Sequence, residues 1–318
     1  MSDFVAELST SVSNKARLKR RAFLFFASVF FWGVLGLLPN GGLGFSSGEV
    51  VFAAYNLENY NLESGPRTHA KSERAKAAVA QVISEVRPDI LGLCEVGSMA
   101  AVEDLRGRLR ACGIDFMDAE MVFGPDEDRH LVLLSRYPLV SRQSRPQVSY
   151  ELNGAPQLVR RGFLDVTVEI GSKCQLRLVG VHLKSKLPIP EGEAVVRRCE
   201  AQLLRAHIDS ILAGAPTVKL MVYGDLNDTR ETSVFREVVG SKGTVGGLVD
   251  LTAQDFQGDK WTHYWRVADV YSRIDYLLVN RGLWPGICRG SAMVSRSSFW
   301  QDASDHRLIS VKILPSDK

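Results

Sequence analysis

The chain has 318 residues, 45% of them hydrophobic and 24% charged, with a formal net charge of +3. This composition excludes a disordered or fibrous protein and supplies enough apolar side chains for a large core. No unit repeats along the chain and no stretch has low complexity, which excludes solenoid and array architectures. We therefore expect one catalytic domain over residues 45–318, preceded by a segment of a different kind.

That segment, residues 1–44, has the order of an export signal. A basic cluster at 15–21 precedes seventeen uncharged residues at 22–38, and a Pro-Asn-Gly-Gly breaker follows at 39–42. Positive charge followed by an apolar run is typical of signals that enter a membrane. The run is long for a cleaved signal and short for a spanning helix, so an uncleaved signal anchor is an alternative, as is a buried N-terminal helix. The segment predicts an exported protein, periplasmic or secreted, or one held at a membrane through 22–38.

The charge of the chain comes mostly from this segment. Five of the 39 basic residues and two of the 36 acidic residues lie within positions 1–44, which leaves 34 of each in the remainder. The sequence pI of about 8.6 is therefore no evidence for nucleic-acid binding, because a nucleic-acid-binding domain is expected to be basic itself.

The five cysteines indicate neither a zinc site nor a disulfide framework. Their number is odd, they are widely spaced, and no two form a Cys-x-x-Cys pair. One disulfide in an exported protein stays possible, and the sequence does not say which residues would form it.

From residue 49 onward, short β-rich runs alternate with longer helical ones. In chain order the patterns predict strands at 50–55 and 89–94, strands at 131–135, 162–170, 174–182, 218–223, 274–279 and 308–313, and helices at 72–86, 99–112 and 193–212. The runs 162–170 and 174–182 are typical of a hairpin. Hairpins mixed with helical crossovers indicate an α/β protein with two packed mixed β-sheets flanked by helices.

Polar side chains follow several of the predicted strands at the point where each strand ends. Asn56 follows the first strand, Glu95 follows Cys94, His182 ends the strand that starts at 174, and Asp225 follows Gly224. Functional groups gathered at strand ends are typical of a site on a rigid sheet. Taken singly, each has a structural explanation, such as an Asx turn at Asp225 or a solvated loop acid at Glu95.

Taken together, seven blocks resemble the endonuclease/exonuclease/phosphatase superfamily, in the family's order, over residues 50–313. The blocks are Tyr-Asn-Leu-Glu-Asn at 55–59, Arg-Pro-Asp-Ile-Leu-Gly-Leu-Cys-Glu-Val at 87–96, Leu-Leu-Ser-Arg-Tyr-Pro-Leu at 133–139, Val-His-Leu-Lys-Ser at 181–185, Gly-Asp-Leu-Asn-Asp at 224–228, Ser-Arg-Ile-Asp-Tyr-Leu-Leu at 272–278 and Ser-Asp-His-Arg at 304–307. The resemblance implies a four-layer α/β sandwich. The first block is also similar to a bacterial, extracellular nuclease-like subgroup.

The resemblance implies a role for each catalytic side chain. His306 contacts the scissile phosphate or transfers a proton, and Asp275 holds the His306 imidazole in one tautomer. Asp225 orients or deprotonates the attacking water, and His182 assists the leaving group. Such a set meets the needs of phosphoester hydrolysis, which requires an in-line water and stabilised charge on the phosphoryl oxygens.

The resemblance also implies a divalent cation, Mg²⁺ or Mn²⁺, because the candidate ligands are hard oxygens. Glu95 is the principal ligand, with Glu58 and Asp305 as partners. Asn56 and Asn227 donate hydrogen bonds to phosphoryl oxygens or to neighbouring acids, so that Asn227 counts among the catalytic as well as the phosphate-binding residues.

These features predict a divalent-metal-dependent hydrolase of phosphate esters, and more finely a monomeric phosphodiesterase that acts as an exported nuclease. His182 matches the branch of the family that holds deoxyribonucleases, sphingomyelinases and phosphatases, whereas abasic-site endonucleases carry tyrosine and asparagine in that region. The neutral charge of residues 45–318 and the possible membrane tether favour an alternative, a phosphatase or sphingomyelinase-like enzyme acting on small phosphoesters or lipid headgroups. A non-catalytic binding module would require an essential group to be missing, yet all are present.

The roles of three other sets of residues stay open. Lys184, Arg160 and Arg161 either neutralise substrate phosphates or only solvate a face. The aromatic residues near 261–265 form either a stacking platform or part of the core. His69, His130, His207 and His263 have weak local contexts and are left structural or unassigned.

Overall fold

The computed structural model describes residues 48–65, 67–171, 173–241, 243–244 and 246–315. The chain divides into two units, 1–44 and 45–318, and the predicted export signal at 1–44 lies outside the described residues. Among the residues that are described, no helix has both the length and the apolar character needed to span a membrane.

Sixteen strands and five α-helices make up the described part of the chain. The strands are β1 (Val50–Tyr60), β2 (Ile90–Val96), β3 (Asp118–Val122), β4 (His130–Ser135), β5 (Leu139–Arg142), β6 (Ser149–Leu152), β7 (Ala155–Leu158), β8 (Leu164–Gly171), β9 (Cys174–His182), β10 (Leu220–Asp225), β11 (Val249–Asp250), β12 (His263–Trp265), β13 (Val270–Ser272), β14 (Asp275–Val279), β15 (Met293–Val294) and β16 (Ile309–Ile313). The helices are α1 (Glu73–Val86), α2 (Met99–Ala111), α3 (Glu193–Gly214), α4 (Ser233–Val239) and α5 (Trp300–Ala303).

Twelve of these strands form two six-stranded sheets. The first sheet has the order β15-β16-β1-β2-β4-β3 and the second has the order β11-β14-β10-β9-β8-β5. Each sheet is mixed: β1 pairs with β2 and β9 pairs with β10 in parallel, while the other pairings are antiparallel. Two small hairpins, β6–β7 and β12–β13, lie outside the two sheets.

The alternation of side chains along the strands divides the core into three apolar layers. In β1, Phe52 and Ala54 belong to the cluster between the two sheets, whereas Ala53 and Tyr55 belong to the cluster that includes residues of α1 and α2. The third cluster joins the outer face of the second sheet to α3 and α4. Because side chains alternate between the faces of a strand, helices can cover both outer faces. The arrangement is the predicted four-layer α/β sandwich.

Local sequence signals fix the bounds of α1. The side chain of Ser72 accepts a hydrogen bond from the backbone N–H of Ala75 at 3.2 Å, which caps the first turn. The helix ends at Arg87, which adopts a left-handed conformation before Pro88, a residue that cannot continue a helix. The predicted helix at 72–86 is therefore confirmed to within one residue.

The strand directions bring the polar strand ends to one edge of the sandwich. The parallel pairs β1–β2 and β9–β10 finish at this edge, and the antiparallel strands β14 and β16 begin there. The side chains that follow or precede these strands therefore meet, although they come from six separate parts of the sequence.

Candidate active site

The site lies where these six strands meet, and each of its main side chains is placed by a different strand. Asn56 lies in β1 and Glu95 in β2; His182 and Asp225 end β9 and β10; Asp275 begins β14; and His306 lies three residues before β16. All are buried except Glu95, whose side chain is 15% exposed.

Irregular backbone at the ends of β1 and β2 turns the acidic residues toward the site. The register between β1 and β2 shifts after Asn56, and the register between β2 and β4 shifts after Leu93. Glu58 and Glu95 have left-handed backbones, with φ of 48° and 65°, as does Asn227 at 52°. Such a conformation in a residue other than glycine costs about 1–3 kcal/mol and tends to persist where function requires it.

His306 and Asp275 form a buried pair. Nδ1 of His306 lies 2.8 Å from Oδ2 of Asp275, and Nε2 of His306 lies 3.7 Å from Oδ2 of Asp225. Burial acts to lower the pKa of His306, but the charges of Asp275, Asp225 and Asp305 and the hydrogen bond to Asp275 raise that pKa well above 6.5. The imidazole is therefore a cation at neutral pH, and its Nε2 is left to face a substrate.

Asp225 is held by three hydrogen bonds from two asparagines. It accepts from Nδ2 of Asn56 at 3.1 Å, from the backbone N–H of Asn227 at 2.7 Å and from Nδ2 of Asn227 at 3.3 Å. Burial and then the charge of Asp275 raise the pKa of Asp225 to about 7, against the opposing effect of His306. A carboxylate with such a pKa is suited to accept a proton at neutral pH.

The side-chain amide of Asn227 donates both of its hydrogen bonds within the protein. Its second Nδ2–H donates to the backbone carbonyl of Leu183 at 3.0 Å, so both amide protons have acceptors within the chain. As placed, Asn227 positions Asp225, while its predicted contact with a phosphoryl oxygen stays a prediction.

His182 also lies close to Asp225, but its pKa is shifted in the opposite direction from the pKa of His306. Its Nε2 is 3.6 Å from Oδ2 of Asp225 and 3.8 Å from Oε1 of Glu95. Burial, followed by the charges of Arg161 and His306, lowers the pKa of His182 well below 6.5, so the ring is neutral. Its buried Nδ1 has no hydrogen-bond partner among the described residues.

Glu95 and Glu58 form the acidic side of the site. Glu95 accepts from the backbone N–H of Asn59 at 2.9 Å and lies 3.6 Å from Nε of Arg129. Glu58 accepts from the backbone N–H of Asp305 at 3.1 Å. Burial and then the charge of Asp305 raise the pKa of Glu58. The charges of Asp305 and Glu95 both act on Glu58. Among the described residues, however, these three carboxylates are not one of the groups whose candidate ligand atoms all lie within 4.8 Å of one another; those groups are His263, Asp305 and His306, and Asp225, Asp275 and His306.

The residues on this side fit a divalent cation. They offer hard oxygen atoms, and the repulsion between Glu58 and Asp305 would be relieved by a cation bound among them. The buried Oδ1 of Asn59, in the residue whose N–H contacts Glu95, accepts no hydrogen bond within the described part of the chain. A buried oxygen without a hydrogen-bond partner, in a residue that contacts Glu95, suits a hard cation such as Mg²⁺ or Mn²⁺.

Sequence reasoning missed His263, which lies beside the site. Its Nε2 is 3.7 Å from Oδ2 of Asp305, and its ring centroid is 4.7 Å from that of His306. Burial acts to raise the pKa of Asp305, but the interaction with His263 and the charge of His306 hold it below its ordinary value. No signal in the sequence marked His263, because the β12–β13 pairing that sets it opposite Ser272 has no strong apolar pattern.

The structure distinguishes Lys184 from Arg161, two cationic residues whose roles the sequence leaves undecided. Nζ of Lys184 donates to the backbone carbonyls of Ser185 and Leu187, both at 2.8 Å, and so does not face the site. Arg161 is buried, pairs with Asp126 at 3.0 Å, and leaves Nε and one terminal nitrogen without partners among the residues described. Arg161 is therefore the better candidate of the two for an anion contact.

The aromatic residues near 261–265 are not core residues. Trp261 and Tyr264 are half-buried and pack on Tyr271 with ring centroids 4.8 and 4.4 Å apart. Trp265 is 55% exposed on the β12–β13 hairpin, close to His263 in sequence. An exposed aromatic hairpin therefore stands beside the site.

Comparison with known proteins agrees with this geometry. A model of the family described as "Endonuclease/Exonuclease/phosphatase family" matches residues 59–306. No curated protein sequence matches the chain.

Three solved structures share the fold at low sequence identity. The endonuclease/exonuclease/phosphatase from Bacteroides vulgatus has a TM-score of 0.58 and 15% identity, with 85% of this chain and 100% of that chain covered. Truncated Caenorhabditis elegans TDP2 has a TM-score of 0.57 and 18% identity, with 85% and 99% covered. Sphingomyelinase C from Streptomyces griseocarneus has a TM-score of 0.55 and 16% identity, with 84% and 99% covered.

Proposed function

We propose, on the premise that this chain belongs to the Endonuclease/Exonuclease/phosphatase family, that it is a divalent-metal-dependent phosphodiesterase which acts as an exported nuclease. Hydrolysis of a phosphate ester is the reaction that the family's name describes. The observation that carries the proposal is the placing of Asp225 between a cationic His306 and a neutral His182, with Nε2 atoms 3.7 and 3.6 Å from its Oδ2.

The reaction follows from these charges. Asp225 takes a proton from a water molecule, whose oxygen attacks phosphorus in line with the leaving oxygen. The bond between phosphorus and the leaving oxygen breaks, and that oxygen takes a proton from solvent water, while the proton on Asp225 returns to solvent. The neutral ring of His182 assists by donating a hydrogen bond from its one N–H to the leaving oxygen, and it keeps that proton. The cation of His306 stabilises the charge that develops on the phosphoryl oxygens.

Asp275 acts through His306. Its hydrogen bond to Nδ1 fixes the ring so that Nε2 points to the reaction centre, and its charge keeps the imidazole protonated. Asn56 and Asn227 hold Asp225 in the orientation needed for the attack.

Glu95, with Glu58 and Asp305, would hold Mg²⁺ or Mn²⁺. The ion would supply positive charge to a phosphoryl oxygen on the acidic side of the site. Asn56 links this side to the general base, because its Nδ2 lies 3.5 Å from Oε1 of Glu95 as well as 3.1 Å from Asp225.

A lipid headgroup is the second candidate substrate, and one observation favours it. The β12–β13 hairpin exposes Trp265 (55%), Val267 (89%) and Val270 (46%) next to the site, as a surface that meets the apolar part of a membrane would. The solved sphingomyelinase C structure shares the fold. We give preference to a nucleic acid because Arg230, Lys260 and Arg289, three cations without a partner among the described residues, line one groove.

A substrate panel at several salt concentrations tests the proposal. Purified protein with Mg²⁺ is assayed on DNA, RNA, bis(p-nitrophenyl) phosphate, p-nitrophenyl phosphate and sphingomyelin. A nuclease loses affinity for DNA or RNA steeply as salt rises, because each phosphate contact releases a counterion. Cleavage of sphingomyelin or the monoester alone would replace the nuclease with the second candidate, and no cleavage of any substrate would favour a binding module.

The export of the protein is part of the same proposal. The basic and apolar order of residues 1–38 supports it. A fusion of residues 1–44 to a reporter enzyme that is active only outside the cytoplasm tests this part of the proposal. A reporter that stays inactive would show that residues 1–44 do not direct export.

A further inference from the structure

We propose that a groove on the open side of the sandwich binds the single-stranded part of a nucleic acid whose scissile phosphate lies in the site. The groove has a volume of about 1170 Å³. It lies where β11, at the edge of the second sheet, approaches β15, at the edge of the first, and the backbones of Gln254 and Met293 are bridged there. Its size exceeds the roughly 300–1,000 Å³ of a usual small-molecule pocket, which favours a longer ligand.

The lining residues of the groove that take part in no ion pair carry a net positive charge. Its acids are already neutralised: Asp250 pairs with Arg273 at 2.9 Å, and Asp255 pairs with Arg307 at 2.8 Å. Three further lining cations, namely Arg230, Lys260 and Arg289, have no partner among the described residues. Three uncommitted cations along one groove complement an anion with several separated charges.

Exposed planar and flexible apolar side chains lie among these cations. Phe256 is 76% exposed, Trp284 is 45% exposed and Met293 is 37% exposed. One face of the Phe256 ring lies against the guanidinium of Arg296, at 5.2 Å, which supports the ring in place. Aromatic side chains between cations are typical of sites that bind single-stranded nucleic acids, because the bases stack on the aromatic rings while the phosphates pair with the cations.

The lining of the groove is joined to the catalytic pair by buried residues. Asp255 is held by Arg307, the neighbour of His306. Lys260 lies two residues before Thr262, whose Oγ1 accepts from the backbone N–H of Asp275 at 3.1 Å. Because Arg307 and Thr262 are both buried, they connect the groove to the site through the core.

The pattern favours a nucleic acid over a lipid surface. A membrane would meet one continuous apolar face, whereas here the rings are separated by cations within a concave groove. The inference rests on the proposed function for its substrate class, but the binding experiment below can succeed or fail independently of hydrolysis.

The test measures binding of a fluorescein-labelled oligothymidylate by fluorescence anisotropy across a range of salt. The full chain carries Asp225→Asn so that the oligonucleotide stays intact. The groove variant combines Arg230→Ala, Lys260→Ala and Arg289→Ala. The matched control combines Arg145→Ala, Lys173→Ala and Arg198→Ala, three exposed residues elsewhere on the domain, and removes the same total charge.

The groove variant is expected to lose about tenfold or more in affinity, and its salt slope should fall by about 2, since each of three phosphate contacts contributes about 0.7. The control variant should keep the slope of the parent. Phe256→Ala should weaken binding by about tenfold through lost stacking, with the salt slope retained. Equal losses in both triple variants, or no loss in either, would overturn the inference.

Two further measurements separate the groove from the proposed function. The first measurement uses chains that keep Asp225 and are therefore active. In these chains, the three groove substitutions should lower the ratio of kcat/KM on the oligonucleotide to kcat/KM on bis(p-nitrophenyl) phosphate by about tenfold. If no diester is cleaved but the groove variant still loses oligonucleotide binding, the groove stands and the proposed hydrolase fails. If only co-sedimentation with phosphatidylserine-containing vesicles is lost, the groove binds a lipid surface and the inference is wrong.

Discussion

Nδ1 of His306 lies 2.8 Å from Oδ2 of Asp275, and both side chains are buried. The pair fixes the tautomer of the ring and keeps it charged, which leaves Nε2 for the substrate. The two residues come from segments 31 positions apart in sequence and are joined by the edge at which β14 and β16 begin.

Asp275→Asn is expected to lower kcat by about 10²–10⁴-fold, by analogy with the loss seen when the acid that orients a catalytic histidine is made neutral. The pKa of His306 should fall, because its largest stabilising charge is removed. An NMR titration of the His306 ring, together with kcat, checks both effects. Asp115→Asn, on an exposed residue paired with Arg110, is the control. A variant with normal kcat would show that the pair is only structural.

The pH dependence of kcat/KM should report the ionisation of Asp225. Burial and the charge of Asp275 raise its pKa to about 7. A general base works only when deprotonated, so activity should be low below this pH and should rise through it to a plateau. A profile on bis(p-nitrophenyl) phosphate from about pH 5 to pH 9 measures the inflection. Activity that falls as the pH rises through 7 would contradict the assignment of Asp225 as the base.

His263→Phe keeps a ring beside His306 and removes the interaction of Nε2 with Asp305. The pKa of Asp305 should rise, because His263 helps to hold it down. We expect the Mg²⁺ concentration for half-maximal activity to rise by about 10–100-fold, the usual effect of losing a group that supports a metal ligand. His69→Phe, on an exposed histidine, is the matched control. If the Mg²⁺ concentration for half-maximal activity is unchanged, His263 does not support metal binding and has only a structural role.

Metal binding should be visible in stability as well as in activity. Mg²⁺ at about 100 times its Kd should stabilise the folded protein by about 2.7 kcal/mol and raise Tm by roughly 5–10 °C. Glu95→Gln should lose most of this increase, because it removes the charge of the principal ligand. Glu169→Gln, on the second sheet, should keep the increase. Differential scanning calorimetry measures the shift, and an equal increase in wild type and Glu95→Gln would place the ion elsewhere.

Much of the site could be predicted because its residues follow from strand periodicity and the order of the seven blocks. Asn56, Glu95, His182 and Asp225 each stand at the end of an apolar run, and parallel strands bring such ends together. Eight strands were predicted to within a few residues, although β1 continues to Tyr60 because its end is irregular. The eight shorter strands β3, β5, β6, β7, β11, β12, β13 and β15 were not predicted.

The rest depends on pairings that the sequence does not display. His263 reaches Asp305 only because β12 pairs with β13, and neither strand has a strong apolar pattern. The amide of Asn227 turns to the Leu183 carbonyl, a partner 44 residues away. The groove lies between two edge strands of only two residues each, so its cations appear unrelated in sequence.

We propose that Asp225 and His306 hydrolyse a phosphate diester with the help of a divalent cation. The most direct measurement is release of p-nitrophenol from bis(p-nitrophenyl) phosphate by the wild type with Mg²⁺, by the wild type with EDTA, and by Asp225→Asn and His306→Ala with Mg²⁺. We expect hydrolysis only in the first case, with losses of about 10³-fold or more in both variants, each of which is first shown to be folded by circular dichroism at the assay temperature. Full activity in either variant would show that Asp225 and His306 are not the catalytic pair, and activity that EDTA leaves unchanged would show that no divalent cation takes part.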